Sequence, residues 1–202
     1  MKIEVRTACR RDVRELSRVL GRAFSDDPVM RWLLSGGDRQ ALSVRLFFAT
    51  LARHHYLGRG GVQVAVRGGA IGGATMWSPP RRWRESRTEE LWMLPGMLLT
   101  FGRRMPVVKE TFDLMAHHHP EEPHWYLGFI GSDPTARGAG FGRALMDSGL
   151  ERCDAEHAPA FLESSNPVNV PYYERFGFEA IGELAIPRGG PVMTPMWRQA
   201  RV

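Results

Sequence analysis

The pattern that most restricts the fold lies at residues 125–178. It starts with the apolar run Trp125-Tyr126-Leu127-Gly128-Phe129-Ile130-Gly131 and the turn Arg137-Gly138-Ala139-Gly140-Phe141-Gly142. A long helical stretch follows, then the apolar run Ala160-Phe161-Leu162-Glu163-Ser164-Ser165-Asn166 and finally Tyr172-Tyr173-Glu174-Arg175-Phe176-Gly177-Phe178. A glycine-rich turn between a strand and a helix exposes unpaired backbone N–H groups at the positive end of the helix dipole. Such a turn suits a pyrophosphate. No Gly-Lys-Ser/Thr follows, so this is not a P-loop, and Arg143 occupies the place of the third glycine in a dinucleotide fingerprint.

The spacing Arg137-x-x-Gly140-x-Gly142, Tyr173 four residues before Gly177-Phe178, and Asn166 seven residues before that tyrosine occur in this order. In these elements the chain resembles the GNAT superfamily of acyl-CoA-dependent N-acetyltransferases. Ala23-Phe24-Ser25-Asp26-Asp27-Pro28, the approach His119-Pro120-Glu121-Glu122-Pro123-His124 to the central strand, and Pro159–Pro167 resemble the aminoglycoside-like and puromycin N-acetyltransferase small-molecule group. The resemblance implies a mixed α/β fold: a mostly antiparallel central sheet of six to seven strands with helices on both faces. It spans nearly the whole chain.

Length and composition agree with this. A chain of 202 residues can bury a core as one domain, here 1–202, and it shows neither a repeat nor a linker. Cys9 and Cys153 are too few for a disulfide framework or a zinc site, which suits a reducing compartment. Neither an apolar leader nor a spanning run is seen; the longest apolar run, 91–101, is short and contains Pro95 and Gly96. A cytoplasmic protein without a membrane partner is expected. The net charge of +5 is carried almost wholly by arginine, the only lysines being Lys2 and Lys109. Apart from Arg81, Arg82, Arg84 and Arg87 the arginines are scattered, without a nucleic-acid-binding signature. An anionic cofactor accounts for the charge better than a nucleic acid.

Apolar periodicity predicts a strand at Ile3–Arg6, a helix over about Arg11–Phe24, a helical turn at Val29–Leu34 and a helix over about Arg39–Leu57 with Leu42, Leu46, Ala49 and Tyr56 on one face. A hairpin turning at Arg67-Gly68-Gly69 follows, ended by Ser78-Pro79-Pro80, then two helical segments at about 86–103 and 106–118. Strands are expected at 124–132, 159–164, 179–186 and 192–197. Helices lie between the first three, the second of them starting near Asn169 as N-cap with Pro171 in its first turn.

The resemblance implies acetyl-CoA as acyl donor, held by Arg137, Gly138, Ala139, Gly140, Phe141, Gly142 and Arg143 at its phosphates. Backbone groups near Ile130 and Ser132, with Asn166, would serve the thioester and pantetheine. Family members usually carry an apolar residue where Ser132 stands, and its backbone would do the bonding. Tyr173 would protonate the departing thiolate. A phosphate-contacting arginine has a solvated surface role as its alternative, and Asn166 has a turn-forming role ahead of Pro167. Strand 124–132 lacks the acidic residue many members use as a base. Glu163 on the neighbouring strand is the first candidate, with His124, Glu121 or Glu122 acting through water as alternatives.

Trp32, Trp77 and Tyr126 are the expected acceptor-lining residues. The run His117-His118-His119 points three ways on a helix, reads as an exposed helix end and implies no metal. The expected reaction acetylates a primary amine of a small molecule, with homodimer formation left open. Acetylation of a protein or peptide amine, and a non-catalytic acyl-CoA sensor, are the competing readings.

Overall fold

The computed structural model describes residues 2–34 and 40–201. Its eight strands are β1 (Glu4–Thr7), β2 (Val62–Arg67), β3 (Ala70–Ser78), β4 (Trp125–Ser132), β5 (Ala160–Ser164), β6 (Glu179–Ala180), β7 (Leu184–Ala185) and β8 (Val192–Arg198). They lie in the order β1-β2-β3-β4-β5-β8-β6, with β7 also paired to β8. Only β4 and β5 run parallel. Seven α-helices complete the described chain: α1 (Val13–Ala23), α2 (Pro28–Leu34), α3 (Gln40–Leu51), α4 (Arg87–Phe101), α5 (Met105–His118), α6 (Phe141–Ala155) and α7 (Val170–Glu174).

Two cores divide the sheet. On one face α1–α5 close over Leu16, Leu20, Val44, Phe47, Phe48 and Met76. On the other, α6 and α7 pack on Trp77, Trp125, Leu127, Met146, Leu162 and Phe178. No helix among the described residues is long and apolar enough to cross a membrane.

Most elements lie where periodicity placed them, with three corrections. The expected strand over 179–186 is two short pieces, Glu179–Ala180 and Leu184–Ala185. The inward face of α3 is Val44, Phe47, Phe48 and Leu51, whereas Leu42 is 63% exposed. A π-helical turn over Ala52–Tyr56 changes the phase of the helix, so Tyr56 is buried without sharing a stripe with Leu42. The start expected at Arg39 lies outside the described residues. Asn169 stands at the N-cap of α7 without a side-chain capping bond.

Two glycines are required by close approach. A Cβ at Gly149 of α6 would stand 2.7 Å from the indole of fully buried Trp77. Gly149→Ala is therefore expected to destabilise the fold by ~1–3 kcal/mol, since an overpacked core must shift to admit the methyl; urea unfolding checks this. Gly96 lets α4 pass directly against Thr50 of α3, and the helix continues through Pro95.

Candidate active site

Strands β4 and β5 pair only at Trp125–Ala160 and Tyr126–Phe161. Beyond these positions β4 stays with β3 as far as Ser132, and β5 stays with β8 as far as Ser164. The two central strands therefore part into a wedge whose inner edges carry unpaired backbone groups.

The polarity of that edge follows from the register. The Asp133 N–H donates to the Gly72 carbonyl at 2.9 Å, which makes 133 and 72 a hydrogen-bonded antiparallel pair. Such pairs alternate along the strand, so Gly131 also faces β3 while the N–H groups of Ser132 and Ile130 point into the wedge. Both positions expected from the sequence have their amides on the open edge. Below them the ladder skips a residue: Met76 opposes Phe129 and Trp77 opposes Leu127, leaving Gly128 as a β-bulge. The hydroxyl of Tyr56 fills the space where a Cβ at Gly128 would stand.

At the mouth of the wedge the glycine turn opens α6. Gly138 and Gly140 take φ of +79° and +92°, a left-handed conformation that glycine adopts without strain. A Cβ at Gly138 would meet nothing within 4 Å, so the turn presents bare backbone. Phe141 is buried against Gly72, and only its backbone is available to a ligand; Ala139 is half-buried. Arg137 is exposed beside the turn. Arg143 is also exposed, with Asp147 3.5 Å away, and lines a groove of about 670 Å³ between α6 and α7.

That groove contains residues the sequence reading did not select. Arg175 also lines it and sits 5.5 Å over the ring of Tyr172. The Tyr172 hydroxyl is buried without a hydrogen-bond partner among the described residues, 3.2 Å from where a Cβ at Gly142 would be. Helical spacing sends Tyr172 and Tyr173 to different faces, and Tyr172 is the one that meets the turn. The groove also holds Asp147, Glu151 and Asp154, the last paired with Arg198, and the bare amides, the unpaired Tyr172 hydroxyl, Arg143 and Arg175 are the groups that fit a phosphate-bearing ligand such as acetyl-CoA.

Tyr173 lies on the inner side of α7, half-buried, with burial pushing its phenol well above the ordinary value. The charge of Asp27 acts on it in the same direction. Asp27 caps α2 by accepting from Met30 N–H at 2.9 Å, and it also accepts from the Ser165 hydroxyl. In the sequence it stands only as a member of the string Ala23–Pro28. Asn166 takes up its alternative turn-forming role, Oδ1 accepting from Val168 N–H at 3.1 Å. Its Nδ2 is left as the side-chain donor for a ligand.

Phe161 and Glu163 alternate onto one face of β5, with Ser165 just past its end. Burial pushes the Glu163 carboxyl up to about 7, with the nearby Tyr126 hydroxyl and backbone acting in the opposite direction. Its Oε2 is buried without a hydrogen-bond partner among the described residues. The charge of Glu163 also reaches Tyr56. Tyr56 and Tyr126 therefore meet beside the bulge, near Glu163, and Tyr56 is the member that periodicity gave only as a helix-face residue.

The other expected acceptor residues stand apart. Trp77 is wholly buried against α6 and cannot line an acceptor pocket, a correction to the sequence reading. Trp32 packs below Arg104, whose guanidinium lies 5.2 Å from its ring, with Nε1 against the Gly190 turn. His119 is also corrected. It is buried, stacked on Trp83 with centroids 3.7 Å apart, and its Nε2 meets Nε2 of His124 at 3.0 Å. The Glu122 carbonyl 2.6 Å from His124 Nδ1 fixes a proton there, so His119 donates and His124 accepts. Burial holds His119 down to about 3, which keeps it neutral. His117 and His118 are exposed as expected, and no three-ligand metal cluster occurs among the described residues.

A model of the Acetyltransferase (GNAT) family matches residues 103–178, from the turn after α4 to Phe178. An uncharacterised N-acetyltransferase of Schizosaccharomyces pombe is 28% identical over 182 residues, covering 83% of this chain and 71% of that protein. Among solved structures, one described as histone acetyltransferase HPA2 and related acetyltransferase, from Corynebacterium glutamicum, superposes with a TM-score of 0.79 at 26% identity. That match covers 100% of this chain and 98% of the other. A polyamine N-acetyltransferase of Drosophila melanogaster shares the fold at a TM-score of 0.67 and 16% identity, over 98% of this chain and 100% of its own. The protein thus has the GNAT fold, and over residues 103–178 it is similar to the Acetyltransferase (GNAT) family.

Proposed function

We propose that this protein transfers the acetyl group of acetyl-CoA to a primary amine of a small molecule, by direct attack in a ternary complex. The observation that carries this reading is the wedge, where the amides of Ile130 and Ser132 face an open edge that leads to the bare glycine turn of α6. Acetyl-CoA supplies an acyl group activated as a thioester. The turn and Arg137, with Arg143, Arg175 and Tyr172 in the groove, hold its phosphates. The Ser132 amide and Asn166 hold the pantetheine arm.

The Ile130 N–H donates to the carbonyl oxygen as it gains charge, a contribution worth ~3 kcal/mol for a well-aimed donor. Glu163 takes the proton of the attacking amine, and Tyr126 orients its carboxylate. Tyr173 gives a proton to the departing thiolate. A carboxyl near 7 is matched to this task, being about half-ionised at neutral pH and basic enough to accept a proton. A direct route is favoured because burial pushes the Cys153 thiol up to about 12, too high for an acyl-carrying thiolate.

The small-molecule assignment rests on the enclosed setting of Glu163 and Tyr126, which suits a compact amine better than a peptide backbone. A resemblance to the puromycin N-acetyltransferase group belongs to the same reading. The test is release of free coenzyme A thiol with a panel of aminoglycosides, puromycin-like nucleosides, polyamines, arylamines and short peptides. Turnover with one small-amine class is expected; turnover with peptides alone would replace the acceptor, and acetyl-CoA binding without any turnover would favour a sensor.

A further inference from the structure

We propose that the outer face of α4 docks on an anionic lipid surface. The inner face of this 15-residue helix is conventional: Met93, Thr100 and Phe101 are buried and Gly96 abuts α3. Its outer face is apolar too. Leu91, Trp92, Leu94, Leu98 and Leu99 are 68%, 66%, 43%, 49% and 75% exposed, and no charged residue falls between Leu91 and Phe101. At helical spacing these side chains form one contiguous strip. A helix apolar all round belongs in an apolar environment, and a patch of this extent on a water-facing surface marks an interaction site.

The surrounding charge selects the occupant. Arg87 stands four residues before Leu91 on the same face, and Arg103 is exposed just past the C-terminal end. The segment carrying exposed Arg81, Arg82 and Arg84 is tied to the first turn of α4 by Arg59, which donates to the carbonyls of Arg82 and Arg84 and to Glu89. Within residues 81–103 the exposed acids are Glu85 and Glu90, and exposed Glu121 and Glu122 follow His119, which stacks on Trp83. A two-fold pairing of α4 with a second copy would set this basic rim against itself. An anionic headgroup layer matches it, with leucines and a tryptophan at the acyl boundary.

A 15-residue helix is about 22 Å long, short of the ~30 Å hydrocarbon core, so α4 lies along the surface and does not span it. The sequence reading expected no membrane partner because no run could cross a bilayer. That criterion does not exclude peripheral docking.

The test is co-sedimentation of the full chain with phosphatidylcholine vesicles, with and without phosphatidylglycerol, alongside light scattering of the free protein. Partition onto the anionic vesicles is expected to exceed that onto neutral ones by about tenfold and to fall with salt. Leu91→Glu/Leu99→Glu should abolish it, and Arg87→Glu/Arg103→Glu should remove the preference for anionic lipid. All four side chains are exposed, so unchanged thermal unfolding verifies the fold of each variant. Equal or absent partition on both vesicle types would overturn the proposal. So would a solution mass near twice 22.8 kDa that halves in Leu91→Glu/Leu99→Glu, which would identify the face as a dimer interface.

Discussion

The variant Tyr173→Phe should lose about 100-fold or more in kcat while binding acetyl-CoA nearly as well as the parent, the magnitude typical of removing a positioned general acid. The phenol is pushed above its ordinary value by burial, with Asp27 adding to the effect, so Tyr173 stays protonated throughout the neutral range. A thiolate is a weaker base than the phenolate left behind, so the transfer proceeds only because the hydroxyl is held at the sulfur, and the phenolate is then reprotonated from water. The ring remains in Tyr173→Phe, and its packing 6.2 Å from Phe178 is retained. Loss of kcat without loss of donor affinity, measured by steady-state kinetics beside calorimetry, would therefore report the hydroxyl alone. A change confined to thermal stability would return Tyr173 to a packing role.

The second large effect concerns Glu163 and has two signs. As a general base it must be ionised, so kcat/KM should rise through an apparent pKa of about 7 and level off above it. Glu163→Gln should flatten this limb and lower the plateau by ~10²–10⁴-fold, the usual range for a lost base. Stability moves the other way. A carboxyl raised from 4.5 to about 7 by burial binds its proton more tightly in the folded than in the unfolded chain. Its ionisation therefore costs stability as pH rises from about 4.5 through 7. Glu163→Gln removes that cost, so its stability relative to the parent should improve between pH 5 and pH 8 by on the order of 3 kcal/mol. Urea unfolding at the two pH values checks the sign. A variant that lost activity and gained nothing at pH 8 would place Glu163 outside an enclosed setting.

The wedge was legible in the sequence because its parts are local. The apolar run at 125–131, the positive-φ glycines after it and the tyrosine helix each follow from a few consecutive residues. What surrounds the wedge depends on side-chain direction and distant packing. Trp77 lies on a strand with eight of its nine residues buried, so no alternation shows which way it points; it points at α6. Tyr56 was placed on the wrong stripe because one π-helical turn resets the phase of α3, an event without a short-range signal. Asp27 stands in the sequence only within the string Ala23–Pro28, and only the fold shows that its carboxylate meets Ser165 beside Tyr173. His119 sits in a run of three histidines whose neighbours are exposed, and its burial comes from Trp83, 36 residues earlier.

Residue-resolved amide hydrogen exchange with and without acetyl-CoA tests the central claim most directly. Ile130 and Ser132 should be strongly protected on addition of the ligand, along with the amides of Gly138 and of residues 140–142, whereas Ala139, already bonded to the Ala136 carbonyl, should change little. Gly131 and Phe129, already paired with β3, should change little. Protection that spared Ile130 and Ser132, or that appeared away from the wedge and the glycine turn, would contradict the placement of the acyl donor between β4 and β5.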